Sequence, residues 1–327
     1  MMHHRISRRA LATGMALTPL VGSTRIGVAQ PAGWPWSLPI GLPGRIPGDG
    51  FYLRHGYATE NTAFYPGGWH TGENYYLLEG DTAGAEIYAV ADGEIVYAGF
   101  DYPGPVVIVQ HTDDLFSMYG HLDYALAVDS GPVARGQLIG TVLDRTDGRS
   151  PSHLHFEIRR FLTTPEVNGA APRYSFNCGP DCPPGPGYWP MDAPEHPAGM
   201  GWLNPVHAMA ALAFPDGVPE GVEVVVAEGA RASVPVWSAP SDQDGAEMVG
   251  EMPLTVSDRF VLRGIDAGAM DTTGTSAEAY RLWYQLEVPT FNEPVWAAAL
   301  YASDDAVGSD GRPSSVRFDF LPMVDPA

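Results

Sequence analysis

Residues 153–158 read His153-Leu154-His155-Phe156-Glu157-Ile158, and this stretch decides the fold that we expect. In a β-strand, successive side chains point to opposite faces, so the two histidines and the glutamate share one face. The apolar residues between them share the other face, which is the pattern of a strand with one side in a core. Two imidazoles beside a carboxyl group match what a metal site with a neighbouring acid or base requires. Because such pairs of histidines also occur by chance, the rest of the sequence has to decide between these interpretations.

Two further histidines lie in settings that suggest chemistry. In His70-Thr71-Gly72-Glu73-Asn74, the first and last residues are four positions apart. Positions i and i+4 lie on the same face of a strand or of a helix, so His70 and Asn74 are expected to converge on one point. Tyr119-Gly120-His121 follows an apolar run and precedes a polar turn, which predicts a histidine at a strand end. The other histidines beyond the N-terminal region have no such neighbours and are interpreted as structural: His55, His111, His196 and His207.

The composition favours short strands and many turns. The chain has 38 Gly and 31 Pro among 327 residues, which argues against a helical bundle or a coiled coil. Short β-rich runs bounded by Gly, Asp or Pro predict an all-β protein. A closing strand and short helix are expected over 202–212. The predicted strands are 85–90, 93–98, 106–110, 154–158, 222–226, 234–237, 260–262, 282–286 and 295–299.

The charge of the chain excludes two classes of partner. There are 18 basic residues, all of them Arg, against 39 acidic residues, which gives a net charge of −21. Proteins that bind nucleic acid concentrate basic residues on one surface, and peripheral membrane proteins carry a polybasic face. We therefore expect no nucleic-acid partner, and no membrane contact once the N-terminal segment has been removed.

The N-terminal segment 1–29 predicts an export signal. Basic residues come first, then the mostly apolar run 10–21, then small residues around 27–29. Ser7-Arg8-Arg9 followed by Leu11 resembles the bacterial twin-arginine class of signals. The alternative is a disordered tail. In an exported protein, Cys178 and Cys182 are expected to form a disulfide, and two free thiols or a metal site are the alternatives.

As an ordered set, the motifs resemble the lysostaphin-type, LytM-like zinc metallopeptidases. The set comprises His70-Thr71-Gly72, the stretch 89–96, Tyr119-Gly120-His121, the stretch 136–140 and His153-Leu154-His155, and Asn204-Pro205 is similar to the family's closing motif. The resemblance implies an antiparallel β-sheet peptidase domain with Zn²⁺ as cofactor. It implies that the metal ligands are His70, Asn74 and His155, with water in the fourth position. It also implies that His121 and His153 activate the attacking water and stabilise the tetrahedral intermediate.

The third ligand departs from the family pattern, in which an Asp stands where this chain has Asn74. An amide oxygen brings no negative charge to the metal, so weaker zinc binding is expected. Glu73 could replace it only if the strand bulges. The leading hypothesis is an exported zinc metalloendopeptidase that cuts peptidoglycan stems or cross-links. The alternatives are a weak or inactive protein that binds the wall or activates another wall hydrolase, and a peptidase that acts on secreted proteins.

Composition divides the chain into a series of segments. After an irregular lead-in over 30–50, we expect a peptidase domain over 51–212 with a Pro/Gly-rich insertion at 162–200, then a linker at 213–222. The insertion leaves from the strand that carries the site. It is therefore expected either to wall the cleft with its aromatic residues or to be a surface elaboration without a role. Residues 223–327 resemble, more weakly, a bacterial SH3-like β-barrel; the alternative is a β domain that packs on the first. We expect a monomer located in the periplasm, at the cell wall or outside the cell.

Overall fold

The computed structural model describes residues 34–61, 65–99, 105–123, 130–146, 148, 150–168, 187–272, 280–307 and 313–323. The predicted export signal and the predicted Cys178–Cys182 disulfide lie outside these residues. So do Tyr174 and Phe176 of the predicted insertion.

The described part of the chain is mostly β, with 44% of its residues in strands and 7% in helices, which confirms the predicted all-β class. The strands of the described part, in chain order, are β1 (Ile40–Gly41), β2 (Phe51–Arg54), β3 (Glu60–Asn61), β4 (Tyr65–His70), β5 (Glu73–Leu77), β6 (Glu86–Tyr88), β7 (Gly93–Gly99), β8 (Val106–Thr112), β9 (Leu115–Gly120), β10 (Gly131–Val133), β11 (Leu138–Thr141), β12 (Leu154–Arg159), β13 (Tyr188–Pro190), β14 (Trp202–Leu203), β15 (Glu223–Val226), β16 (Ser233–Trp237), β17 (Met248–Pro253), β18 (Arg259–Ala267), β19 (Leu282–Glu287), β20 (Val295–Ala298), β21 (Leu300–Val307), β22 (Pro313–Phe318) and β23 (Phe320–Pro322). The helices are α1 (Pro165–Asn168), α2 (Pro197–Met200) and α3 (Pro205–Ala213). Strands lie where the sequence predicted them, and β14 with α3 forms the predicted closing strand and helix.

A large antiparallel sheet carries the elements of the site. Its order is β10-β7-β8-β9-β12-β5-β2-β22-β21, with β14 paired to one end of β12. Strand β12 lies between β9 and β5, so both of its edges are hydrogen-bonded. The predicted apolar face of β12 is fully buried in the main core, with Leu154, Phe156 and Ile158 each 0% exposed.

The described part of the chain also contains three smaller sheets. One has the order β1-β6-β11, and a second has the order β13-β4-β3. The third contains seven strands of the C-terminal half in the order β17-β16-β20-β19-β18-β15-β23. Among the described residues, no helix is long and apolar enough to cross a membrane.

The N- and C-terminal halves of the chain share the large sheet. Strand β22 pairs with β2 in antiparallel register, with Leu53 opposite Val316. Residues 31–327 group as one compact unit. The division at 213–222 and the SH3-like character of the C-terminal half stay predictions.

The Pro/Gly-rich segment 162–200 contributes to the core at both of its described ends. Val167 and Trp189 are each 0% exposed and pack in a cluster with Tyr57, Phe161 and Trp202. The described ends of this segment are therefore more than a surface elaboration, because their apolar residues are buried in this cluster.

Candidate metal centre

Four elements bring the predicted site residues together. His70 is the last residue of β4, Asn74 lies in β5, and His155 lies in β12 directly opposite Asn74. His121 comes immediately after β9, whose last residue, Gly120, is also opposite His155. His153 immediately precedes β12. The register of β9, β12 and β5 therefore places Asn74, His121, His153 and His155 at one end of the large sheet, and β4 of a smaller sheet brings His70 to them.

His70 and Asn74 converge for a different reason from the one that we expected. They do not share a single strand or helix, because β4 pairs with β3 and β13, whereas β5 pairs with β2 and β12. The chain passes from one sheet to the other through Thr71 and Gly72. Thr71 is held at this crossing, because its hydroxyl donates to Glu157 Oε1 at 2.6 Å.

Three donor atoms meet at the centre of the site. His70 Nε2 lies 3.0 Å from His155 Nδ1, and Asn74 Oδ1 lies 3.1 Å from the same Nδ1. All three residues are buried, with 1%, 2% and 7% exposure for His70, His155 and Asn74. The geometry thus places the predicted ligand atoms within one small volume.

Hydrogen bonds on the outer nitrogens fix which ring nitrogens carry protons. His70 Nδ1 donates to the Gly56 carbonyl at 3.1 Å, and His155 Nε2 donates to Glu157 Oε1 at 3.0 Å. When the N–H of each ring points to these outer acceptors, both inner nitrogens present lone pairs to the same small volume as the Asn74 amide oxygen. Two imidazole nitrogens and an oxygen directed at one point form a donor set that fits a metal ion.

The third donor is an amide rather than a carboxylate. Among the described residues, no group of three or more His, Cys, Asp or Glu side chains is arranged to hold a metal ion. In the described part, the ligand set therefore consists of two imidazoles and the amide oxygen of Asn74. Imidazole and oxygen donors suit zinc, and three protein ligands leave a position open.

Glu73 does not replace the missing carboxylate. Its side chain points away from the site, with Oε1 accepting from Val206 N at 3.4 Å and Oε2 from the Tyr75 hydroxyl at 3.3 Å. No register shift interrupts the pairing of β5 with β12, so the bulge that this alternative required is absent there. Burial raises the pKa of Glu73 to about 8, and the hydrogen bonds only partly offset this rise.

His121 and His153 form a second pair beside the three donors. Their ring centroids are 4.8 Å apart in an edge-on arrangement, and the His121 ring lies 6.1 Å from that of His155. His153 Nδ1 donates to the Pro151 carbonyl at 2.8 Å, which leaves Nε2 unprotonated in the neutral ring. Burial lowers the pKa of His153 to about 3. Tyr76 stacks on the His153 ring at 5.0 Å.

His55 belongs to this site, although its neighbours in the sequence did not distinguish it from the histidines interpreted as structural. Its ring centroid lies 4.6 Å from that of His70, and its backbone has a positive φ of 97°. The segment after it wraps around His70, because Ala58 N donates to the His70 carbonyl at 2.7 Å and His70 N to the Thr59 carbonyl at 2.8 Å. Only this three-dimensional path brings His55 to the site.

The predicted insertion supplies one wall of the site. Strand β13 pairs with β4 so that Tyr188 is opposite His70, and their rings are 5.4 Å apart. Tyr188 also stacks on Tyr65 at 4.9 Å. Trp189, one of the aromatic residues of the insertion that were expected to wall the cleft, is instead buried on the opposite side, and its indole N–H donates to the Glu195 carbonyl at 2.7 Å.

The other three histidines hold backbone groups. His111 bonds the Asp92 carbonyl and Ser117, and His196 caps the first turn of α2. His207 bonds the Ala269 carbonyl and the backbone N–H of Arg281. Each has the structural role that the sequence predicted.

Comparison with known proteins gives a match over the region of the site. The family described as peptidase family M23 matches residues 72–169, a range that contains Asn74, His121, His153 and His155. His70 lies two residues before the matched range.

Curated relatives match about a quarter of the chain. The murein hydrolase activator NlpD of Salmonella dublin is 40% identical over 97 residues, which cover 27% of this chain and 25% of that protein. The lipoprotein NlpD of Yersinia enterocolitica is 41% identical over 78 residues, which cover 23% of this chain and 78% of that protein. This chain thus spans about a quarter of the length of the first relative.

Among solved structures, the antimicrobial peptidase lysostaphin from Staphylococcus simulans aligns with 84% of this chain and 96% of its own length. The sequence identity is 12% and the TM-score is 0.32.

Proposed function

Because this chain belongs to peptidase family M23, we propose that it is an exported zinc metalloendopeptidase that hydrolyses peptide bonds in peptidoglycan stems or cross-links. The observation that carries the proposal is the pair of facing nitrogens, His70 Nε2 and His155 Nδ1, 3.0 Å apart with their outer N–H groups already donated. With Asn74 Oδ1 beside them, these two nitrogens form a donor set that fits zinc.

His70, His155 and Asn74 would hold the zinc ion. When bound, zinc supplies a Lewis acid that polarises a carbonyl oxygen and lowers the pKa of bound water to about 7. The protein's own contribution is to orient these donors. The Gly56 carbonyl accepts a hydrogen bond from His70, and Glu157 accepts one from His155, on the ring nitrogens that face away from the metal position. Such outer hydrogen bonds keep each ligand in the correct tautomer.

His153 would transfer a proton, and His121 would stabilise the negative charge that develops during the reaction. With Nδ1 of His153 bonded to the Pro151 carbonyl, Nε2 is the nitrogen available to a water molecule or to the leaving amine. His121, at 4.8 Å from His153, would donate to the oxygen on which negative charge develops. Tyr188 flanks His70 and would limit the access of bulk water.

A second function is favoured by the ligand set itself. Asn74 contributes no charge, and the names of several relatives describe murein hydrolase activators. The alternative is therefore a protein with little or no activity of its own that stimulates another wall hydrolase. Under both functions we place the protein in the cell envelope, since relatives are named as lipoproteins and the N-terminus has the pattern of an export signal.

Zinc content and peptide release, measured on the same preparations, test the proposal. We expect about one equivalent of zinc and release of peptides from purified sacculi, with both lost in His155→Ala and both retained in the matched variant His196→Ala. Asn74→Asp should bind zinc more tightly and release peptides faster, because it adds a negative charge to the ligand set.

Absence of zinc from the purified protein would overturn the hydrolase. Zinc without peptide release, in both the natural chain and Asn74→Asp, would favour the activator. In that case, adding the protein to a second murein hydrolase should raise the rate of that enzyme.

A further inference from the structure

Unfavourable backbone conformations cluster around the proposed metal centre. Among the described residues, those other than glycine that have a positive φ are His55, Ala58, His121 and Ser257. A residue with a Cβ rarely adopts this conformation, because the Cβ comes too close to the backbone. All of them except Ser257 lie at the proposed metal centre. Strained backbone persists only where the surrounding structure holds it, and it concentrates at functional sites.

Histidine is an unfavourable residue for the turn at position 55. Its φ of 97° is the largest of this group, and it comes directly after β2, where the chain leaves the large sheet. Glycine adopts such a φ without strain, and glycine occupies most of the positive-φ positions in the described part of the chain. A histidine at this position therefore indicates that its side chain contributes something that glycine cannot provide.

The turn that begins at His55 holds two of the proposed ligands through its backbone. The His55 carbonyl accepts the backbone N–H of Asn74 at 3.1 Å. The next carbonyl, that of Gly56, accepts the Nδ1–H of His70 at 3.1 Å. Two successive carbonyls of one turn thus bind a ligand from β5 and a ligand from β4, although these strands belong to different sheets. The placement of the two ligands relative to each other therefore depends on the conformation of His55.

The His55 ring restricts the orientation of the His70 ring. Rotation about the Cβ–Cγ bond of a histidine is only weakly restricted, so neighbouring groups have to set the direction of its Nε2. His55 contacts the His70 ring edge-on, with ring centroids 4.6 Å apart and ring planes at 61°. Tyr188 contacts both rings, at 5.4 Å from His70 and 6.3 Å from His55. This packing keeps His70 Nε2 directed at His155 Nδ1, 3.0 Å away.

We propose that His55 is a positioning residue of the metal centre. Its carbonyl holds Asn74 and its ring holds the plane of His70, so that both donors point at one place. The assignment rests on the proposed function only in so far as the metal is zinc, and it does not require peptide hydrolysis. Removal of contacts that orient metal ligands from outside weakens metal binding about tenfold or more.

Two variants of the full chain separate the ring of His55 from its backbone. His55→Gly removes the ring and adopts the positive φ without strain. His55→Ala removes the ring and keeps a Cβ that disfavours this φ. Ser257→Gly is the matched control, because Ser257 has a φ of 75° in the exposed turn after β17. If His55→Gly does not melt cooperatively by circular dichroism, His55→Asn takes its place, since asparagine also tolerates a positive φ.

Zinc affinity is measured by competition with a chelator, and the visible absorption bands of the Co²⁺ form report the geometry of the ligands. We expect His55→Gly to bind zinc about tenfold more weakly than the natural chain and to show altered Co²⁺ bands, because the His70 ring is no longer held. His55→Ala should bind zinc more weakly still, since relaxation of its φ also releases Asn74. Ser257→Gly should match the natural chain in both measurements.

The positioning role is overturned if His55→Gly keeps the zinc affinity and the Co²⁺ bands of the natural chain. Equal losses in His55→Gly and Ser257→Gly would overturn it as well, since they would show a general effect of an added glycine. Zinc binding that is weakened only by the changes at His55, without peptide release by the natural chain, would contradict the hydrolase and leave the positioning role in place.

A natural chain that binds no zinc would contradict the hydrolase, and His55 is then tested in the metal-free protein. Nitrogen-15 NMR of the His70 ring shows which of its nitrogens carries the proton. The Nδ1–H form should dominate in the natural chain and lose its dominance in His55→Gly. The same form in both proteins would overturn the positioning role.

Discussion

Glu157 orients residues of the site by accepting hydrogen bonds from them. Its Oε1 accepts from Thr71 and His155, and its Oε2 accepts from the indole N–H of Trp202 at 2.8 Å and from Arg159 Nη1 at 3.3 Å. The residue is fully buried, and its oxygens are satisfied by donors from three different segments. A buried carboxylate held in this way orients the imidazole that it accepts from, which is how outer groups tune metal ligands.

Gly72 allows the segment that joins β4 to β5 to pass close to β12. A Cβ at this position would lie 2.3 Å from the Phe156 carbonyl oxygen and 3.0 Å from His155 Nε2. Gly72→Ala must therefore push the crossing between the two sheets away from β12. We expect a loss of about 1–3 kcal/mol in the free energy of unfolding, as overpacking costs, and zinc affinity about tenfold lower or worse.

Urea denaturation and zinc titration of Gly72→Ala measure these two losses. Gly199→Ala is the control, because a Cβ there meets only Glu195 Cβ at 3.8 Å, and it should leave both quantities unchanged. Unchanged zinc affinity in Gly72→Ala would mean that the tight packing of Gly72 on β12 does not position the ligands.

The sequence predicted the residues whose neighbours are local. Alternation in 153–158 was enough to find β12, its apolar face and two histidines of the site. His55 was missed because its position beside His70 depends on the turn that follows β2, which no local pattern encodes. The convergence of His70 with Asn74 was predicted correctly, but the change of sheet at Thr71 and Gly72 was not, since a four-residue spacing fits several geometries.

Strand β13 is the element that holds one wall of the site. Trp189 anchors it by complete burial, while the neighbouring Tyr188 faces His70. Trp189→Ala should cost about 3–5 kcal/mol in the free energy of unfolding, because a large cavity would remain. Met191→Ala, at a position that is 36% exposed, should cost less than about 0.5 kcal/mol. Urea denaturation compares the two, and similar losses would show that β13 is not anchored by this side chain.

Helix α3 is attached to the C-terminal half through His207. Burial lowers the pKa of His207 below its ordinary 6.5, and the charge of Arg281 lowers it further. The hydrogen bond that Nδ1 donates to the Ala269 carbonyl partly offsets this fall, while Nε2 accepts the backbone N–H of Arg281. A depressed pKa in the folded state means that this contribution is complete above pH 6.5 and is lost as the pH falls below it.

We therefore expect the free energy of unfolding to fall between pH 7.5 and pH 5.5, by at most about 1.4 kcal/mol per pH unit from this one group. His207→Gln should be less stable at pH 7.5 but should show a shallower pH dependence. All other titratable groups are the same in the natural chain and in His207→Gln, so their contributions cancel when the two pH profiles are subtracted. Parallel pH profiles would contradict a role for His207 in this dependence.

Because both halves of the chain contribute strands to the large sheet, a fragment of one half is expected not to fold as it does in the full chain. Composition predicted a boundary at 213–222, yet β22 covers the edge of β2, the Tyr280 hydroxyl accepts from Tyr57 N at 3.3 Å, and the Trp34 indole donates to the Glu223 carbonyl at 3.0 Å. These contacts join the segments on either side of that boundary.

A fragment that ends at Phe214 would lose all three of these contacts and expose the edge of β2. Exposed edges pair with other chains, so we expect this fragment to aggregate or to lack a cooperative melt, and to bind no zinc. A chain of residues 31–327 is the control and should melt cooperatively, because these residues form the compact unit. Size-exclusion chromatography, circular dichroism and zinc analysis compare the two. A fragment that melts cooperatively and binds zinc would show that the peptidase half is an independent domain and that the shared strand pairing adds little to its stability.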